Sequence, residues 1–344
     1  MRKDSDKVAI FTFVKANNYG AMLQAYALGK FLRENSFSPV YVDVNMKKKY
    51  SGIKAWIRAH IINLRFNPFR KKYFSLISMN EVFNFDTLIY GSDQIWNADI
   101  VEDNLKLFSG GWSSSSAKKI AYAASFGVDI IDKNKYNGFK LRLKDFSTIM
   151  VRENSGVTIL KNEFNIDSAQ VLDPTFLIDD YKEITKPTTN IGICCYLFSE
   201  LNRDYKSLQV FSVNVGEKLY FLNHTKVPIG RAVPFPSVEI WLSTVVNSKY
   251  IITDSFHCMV LALLHGVNFY VLSARADRFV RISSLLESLG LENRILDSVS
   301  VLADSNFKNE KIDYTLVNKH LILLKEYSKK SLLDSLNNDS LEKL

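Results

Sequence analysis

The sequence predicts an α/β protein of two Rossmann-like domains facing a cleft, and three observations carry that reading. Near-continuous apolar runs such as Val8-Ala9-Ile10-Phe11-Thr12-Phe13-Val14 recur along the chain, as parallel strands buried on both faces require. Helical stretches alternate with these runs. The alternation breaks at Lys186-Pro187-Thr188-Thr189-Asn190 and then restarts, in a chain of 344 residues that exceeds what one core usually supports. The expected limits are 1–185 for the first domain, with a basic helical excursion at 46–75, and 191–312 for the second. Residues 313–344 form a C-terminal helix expected to pack back on the first domain.

Taken in order, the run at 8–14 is the first strand. A polar loop at 15–19 follows, and Gly20 opens a helix that reaches Leu32. Residues 39–44 complete a βαβ unit. Further strands are expected at 87–90, 120–124 and 148–151, with helical periodicity at 156–164. After the linker come strands at 191–197 and 219–222, then an amphipathic helix from Ser237 to about Asn247. A short buried strand at 250–252, a helix at 256–265, a strand at 269–272 and a helix at 279–289 complete the second domain. The last helix runs from Tyr314 to about Leu336.

Composition excludes several classes. Apolar residues are 47% and charged residues 23%, which is globular and neither disordered nor fibrous. Cys194 and Cys195 are adjacent and Cys258 is distant, so no disulfide framework, CxxC pair or zinc spacing exists. A reducing, cytoplasmic setting is expected, because no apolar secretory h-region follows the charged start before Lys15. Residues 255–274 lack Asp, Glu, Lys and Arg, but His257, His265, Gly266 and Asn268 suit a buried helix and strand better than a membrane span.

The net charge of +8 is local. Between Asp43 and Glu81 there is no acidic residue, against nine basic ones, so the rest of the chain is near neutral. Trp56, Ile57, Ile61, Ile62, Leu64, Phe66 and Phe69 interleave with those cations. Such a segment suits peripheral contact with an anionic membrane surface, or a solvated helix packed on its domain. No nucleic-acid module accompanies it.

Four segments fall where open α/β sheets bind ligands, at strand carboxyl ends. Asn17-Asn18-Tyr19-Gly20 opens the first helix, where exposed amides and a glycine suit an anion. In Gly91-Ser92-Asp93-Gln94-Ile95-Trp96-Asn97, the residues Ser92, Asp93, Gln94, Trp96 and Asn97 look like a ligand-reading loop, with an Asp N-cap as the plainer alternative. Ser125-Phe126-Gly127 falls at the same edge, and Ser125 and Gly127 could lend backbone N–H groups. Arg152, in Arg152-Glu153-Asn154-Ser155, can grip a carboxylate or phosphate, or simply pair with Glu153. In Thr253-Asp254-Ser255-Phe256-His257 the histidine falls in the first turn of a helix, placed to meet an anion, transfer a proton, or serve the structure alone.

Taken together, these segments resemble the polysaccharide pyruvyl transferase family. Asn18-Tyr19-Gly20-Ala21-Met22-Leu23-Gln24-Ala25-Tyr26-Ala27-Leu28, the segments quoted above, and Leu172-Asp173-Pro174-Thr175-Phe176 match in order. So do Arg281-Ile282-Ser283-Ser284-Leu285-Leu286-Glu287 and Leu289-Gly290-Leu291-Glu292-Asn293-Arg294. The resemblance implies a GT-B-like fold and metal-independent transfer of a pyruvyl group, with phosphoenolpyruvate as donor substrate and no other cofactor. The acceptor it implies is a sugar diol of an exopolysaccharide or capsule precursor, often lipid-linked, handled in the cytoplasm or at the inner face of the plasma membrane. Family arginine and histidine positions map onto Arg152 and His257. Many members carry an arginine where this chain has Ser255, so Arg278, Arg281 or Arg294 is expected to supply that cation. Asp93 is the expected acid or base, with Asn18 and Gly20 contributing backbone contacts. Two other readings compete: a GT-B glycosyltransferase using a nucleotide sugar, and a non-catalytic glycan-binding member. Unpaired glycines in the second domain speak against the first, and retained Arg152, Asp93 and His257 against the second.

Overall fold

A computed structural model describes residues 7–46, 52–111, 116–186, 188, 191–273 and 276–337, without the side chains of 276–280. It divides into two compact units. The first takes in residues up to 53, 70–178 and those from 321 on, and the second takes in 54–69 and 179–320.

The first unit is built on a parallel sheet of seven strands, β1 (Lys7–Phe11), β2 (Ser38–Val42), β3 (Leu76–Ile77), β4 (Thr87–Tyr90), β5 (Lys118–Ala124), β6 (Phe146–Val151) and β7 (Ala169–Gln170). Their spatial order is β3-β2-β1-β4-β5-β6-β7. The connecting helices are α1 (Tyr19–Glu34), α2 (Ile53–Tyr73), the short α3 (Ala98–Val101), α4 (Leu105–Phe108) and α5 (Phe139–Leu143), and α6 (Asn154–Ile159). The second unit repeats the plan with six parallel strands, ordered β10-β9-β8-β11-β12-β13. These are β8 (Ile191–Tyr196), β9 (Leu219–Leu222), β10 (Arg231–Val233), β11 (Ser248–Thr253), β12 (Asn268–Leu272) and β13 (Ile295–Leu296). Its helices are α7 (Tyr205–Val215), α8 (Val238–Val246), α9 (Phe256–Leu264) and α10 (Ala276–Ser288), and α11 (Tyr314–Asn337) ends the chain.

In each sheet the strand order reverses at one place, between β1 and β4 in the first and between β8 and β11 in the second. Connections leave such a pair in opposite directions, opening a crevice at the strand carboxyl ends. The central strands are mostly apolar, and Phe11 of β1 stacks on Tyr90 of β4 with ring centroids 4.6 Å apart. The expected run at 8–14 stops as a strand at Phe11, because Thr12 turns its hydroxyl to donate to Ser92 O at 2.9 Å.

The expected boundary at 185 shifts. Tyr181 lies against His265, with ring centroids 6.1 Å apart, and Lys186 N donates to Ser243 Oγ at 2.6 Å, so residues 179–186 pack with the second unit. Of the expected basic excursion at 46–75, residues 47–51 lie outside the described residues and 53–73 form one helix, α2, whose middle groups with the second unit, where the Arg58 guanidinium lies over the Phe235 ring at 5.2 Å. In α11, Ser328 Oγ accepts from Leu172 N at 2.9 Å inside the first unit.

Gly91 ends β4 with φ +134°, and a Cβ there would lie 2.0 Å from Tyr122 O on the adjacent strand. Gly91→Ala is therefore expected to destabilise the protein by more than about 2 kcal/mol, from forbidden backbone space plus collision with a carbonyl that cannot yield. A urea unfolding curve read by circular dichroism measures this.

Candidate functional site

At the reversal of the first sheet, β1, β4, β5 and β6 all end on one polar network. Its hub is Arg152, immediately after β6, with a side chain only 2% exposed. Arg152 Nη1 donates to Asp173 Oδ2 at 2.6 Å, Nη2 reaches Asp93 Oδ1 at 3.5 Å, and Nε lies 3.8 Å from Glu153 Oε2. Burial alone would lower the guanidinium's pKa, but Asp173, Asp93 and Glu153 outweigh it and the net direction is upward. Each carboxylate has a second task. Asp173 Oδ1 accepts from Thr175 N at 3.0 Å and Thr175 Oγ1 at 2.7 Å, Asp173 Oδ2 from Ser92 Oγ at 3.3 Å, and Asp93 Oδ1 from Gln94 N at 2.9 Å. Gln24, buried in α1, closes the network by donating to Thr12 Oγ1 at 2.8 Å.

This geometry revises several expectations. Arg152 does not present a guanidinium to an incoming anion; three carboxylates surround it, so it orients the loop ends. The N–H groups of the Ser125–Gly127 turn are not lent to a ligand either. Glu153 Oε1 accepts from Phe126 N at 3.0 Å and Gly127 N at 3.2 Å, and Asp93 O accepts from Ser125 N at 3.0 Å. Buried amides need an acceptor, and the chain supplies its own. Trp96 is fully buried, its indole N–H donating to Phe108 O at 3.0 Å, so it is core and not a ligand reader. Asn97 caps α3 through Asp99 N at 3.1 Å, and Asn18 caps α1 through Ala21 N at 3.1 Å. Gly20 is buried in the first turn of α1. Gln94 lies against Gly127, where a Cβ would sit 1.7 Å from its Nε2.

The loop before α1 is held by a residue the sequence reading had counted among surface cations. Arg70 is 8% exposed and donates to Val14 O at 3.1 Å, Lys15 O at 3.3 Å, Ala16 O at 2.8 Å and Asn17 Oδ1 at 2.7 Å. Burial lowers its pKa to about 10. Beside that loop opens a cavity of about 500 Å³, lined by Thr12, Phe13, Val14, Lys15, Asn45 and Met46 among others.

The reversal of the second sheet is built in parallel. Thr253 ends β11 and donates from Oγ1 to Tyr196 O of β8 at 2.7 Å. Asp254 accepts from Phe198 N, Ser199 N and Asn202 Nδ2 at 2.8, 2.9 and 3.1 Å, latching the β8 loop to the start of α9. Ser255 caps α9, its hydroxyl accepting from Cys258 N at 3.4 Å. His257 follows in the first turn, 7% exposed, edge-on to Phe256 at 5.2 Å. The Arg281 guanidinium lies over the Phe256 ring at 5.6 Å. Ser255, His257 and Arg281 are thus gathered around Phe256. Arg294 is drawn elsewhere, donating to Glu310 O at 2.7 Å, and the Arg278 side chain lies outside the described residues.

Cys194, Cys195 and Cys258 are buried thiols whose pKa values burial raises, Cys194 to about 12, so none is a nucleophile near neutral pH. Among the described residues no cluster of three or more His, Cys, Asp or Glu gathers as a metal ion would need.

Sequence reasoning passed over Asp173, Gln24 and Arg70 as site-shaping residues. Asp173-Pro174 carried a readable signal, an Asp N-cap before a proline at the first helical position, and Asp173 does accept from Thr175 N there.

The family model described as polysaccharide pyruvyl transferase matches residues 18–274. A search of curated proteins finds no match. Among solved structures, a UDP-N-acetylglucosamine 2-epimerase from Rickettsia bellii superimposes with TM-score 0.54 at 12% identity, covering 96% of each chain. An S. aureus MnaA–UDP co-structure gives TM-score 0.52 at 12% identity, covering 98% of this chain and 99% of that one. A Neisseria meningitidis UDP-GlcNAc 2-epimerase bound to UDP-GlcNAc gives 0.50 at 10% identity, with 96% and 99% covered. At such identities the likeness establishes the fold, which is GT-B-like, and nothing about substrate.

Removing Arg152 leaves three buried carboxylates without their cation. Arg152→Leu is expected to cost about 3–5 kcal/mol of stability. Asp173→Asn, which keeps the shape and some hydrogen bonds, should cost less, about 1–3 kcal/mol. Denaturant titration of the two variants checks both the size and the order.

Proposed function

Since the chain belongs to the polysaccharide pyruvyl transferase family, we propose that it transfers a pyruvyl group from phosphoenolpyruvate to two hydroxyls of one sugar, forming a cyclic ketal and releasing phosphate. The acceptor in this reading is a cell-surface glycan precursor carried on lipid, met at the cytoplasmic face of the plasma membrane. A proton added to the donor's methylene carbon makes the neighbouring carbon electrophilic. One hydroxyl attacks there and gives up its proton, phosphate departs with the C–O bond electrons, and a second hydroxyl closes the ring while its proton is removed.

The observation that carries this reading is the set Ser255, His257 and Arg281 around Phe256 at the reversal of the second sheet. The donor has about three negative charges, which a helix N-terminus and a guanidinium would stabilise. Arg281 supplies the cation that Ser255 lacks, and His257 contacts the phosphate or delivers the proton.

Incubation with phosphoenolpyruvate and a panel of galactosides and mannosides should release phosphate. His257→Ala and Arg281→Ala should each lower turnover roughly 100-fold or more, with partial recovery in Arg281→Lys. Full turnover in both alanine variants, or thermal stabilisation by nucleotide sugars and none by phosphoenolpyruvate, would overturn the proposal.

A further inference from the structure

Helix α2 is apolar on two opposite sides. On one, Ala55, Ala59, Ile62, Phe66 and Arg70 recur at helical spacing and are covered or half-covered. On the other, Ile53, Trp56, Ile57, Ile61 and Leu64 are 78%, 54%, 46%, 47% and 57% exposed. At about 100° per residue these five occupy a continuous arc of roughly 140°. A lone exposed leucine is ordinary; five large apolar side chains aligned over three turns are not.

The rim of the arc identifies its occupant. Lys54, Arg58, Arg65 and Lys72 fall along one edge of it, all exposed, and the chain has no acidic residue between Asp43 and Glu81. A second protein would be expected to find some mixture of signs; along α2 this face offers apolar bulk, positive charge and the imidazole of His60, and no carboxylate. Trp56 stands near the arc's margin with its ring stacked on His60, centroids 5.7 Å apart, and an exposed tryptophan of this kind favours the boundary between headgroups and acyl chains. Among the described residues no helix is long and apolar enough to cross a bilayer, so the contact would be interfacial.

We propose that the exposed face of α2 docks the protein on an anionic lipid surface, with Ile53, Trp56, Ile57, Ile61 and Leu64 entering the interfacial layer and Lys54 and Arg65 meeting lipid phosphates. The proposal deepens the reading of a lipid-carried acceptor, but its test does not use turnover, so either can fail alone. Full-length protein is mixed with phosphatidylcholine vesicles, with or without roughly one-third phosphatidylglycerol, and bound protein is sedimented. Binding to the anionic vesicles is expected, falling roughly tenfold between ~0.1 and ~0.5 M salt as charge is screened. In a Trp112→Phe background, tryptophan emission should shift to shorter wavelength on binding, and adding Trp56→Phe should abolish the shift, since the remaining Trp96 and Trp241 are buried already. The double variant Ile57→Ser/Ile61→Ser changes only exposed positions and should keep its circular-dichroism spectrum while losing at least about tenfold in binding. No binding to anionic vesicles, undiminished binding of the double serine variant, or a solution dimer that the same substitutions dissociate would each overturn the proposal, the last by showing that a second copy covers the face.

Discussion

The first unit depends on one buried cation. Arg152 sits where β6 ends, and Asp93, Glu153 and Asp173 reach it from the loops after β4, β6 and β7. Such an arrangement is costly to desolvate and holds only if the remaining lone pairs are also satisfied. Here they largely are. Glu153 takes the amides of the Ser125–Gly127 turn, Asp173 takes Thr175 and Ser92, and Asp93 takes the amide of Gln94. The guanidinium therefore acts at one remove: it fixes three carboxylates, and these fix the backbone of the strand ends.

The second unit solves the same geometric problem with less charge. At its reversal point Asp254 alone accepts three donors from the β8 loop, while Thr253 ties β11 to the end of β8. The first network turns its charges on one another around Arg152. The second keeps a histidine, a hydroxyl and a stacked arginine together at one helix start. Two sheets with reversals of the same kind thus differ in how much charge is gathered there, one cation among three carboxylates in the first and Asp254 in the second.

Much of the fold was legible because central strands buried on both faces write continuous apolar runs, and β1, β4, β5, β8, β11 and β12 were all foreseen. The strands that escaped were β3, β7, β10 and β13, two or three residues each at or near the sheet margins, too short to carry a period. The site was legible as a set of segments and less so as roles. Sequence places Trp96 and Asn97 beside Asp93, but only packing reveals that the indole faces the core and the amide caps a helix. Arg70 read as one more surface cation, since nothing local distinguishes an arginine that turns inward from its exposed neighbours Lys71 and Lys72. Partners distant in sequence, as Asp173 is to Arg152 or Gln24 to Thr12, leave no local spacing to read.

Arg70 also bears on how the chain reaches its final form. The carbonyls of Val14, Lys15 and Ala16 converge on a side chain more than fifty positions later in the polypeptide. During synthesis that turn must wait in water, its oxygens hydrated, until the end of α2 has left the ribosome and coiled. The bend joining the first strand to the first helix therefore takes its final hydrogen bonds only when a later helix arrives.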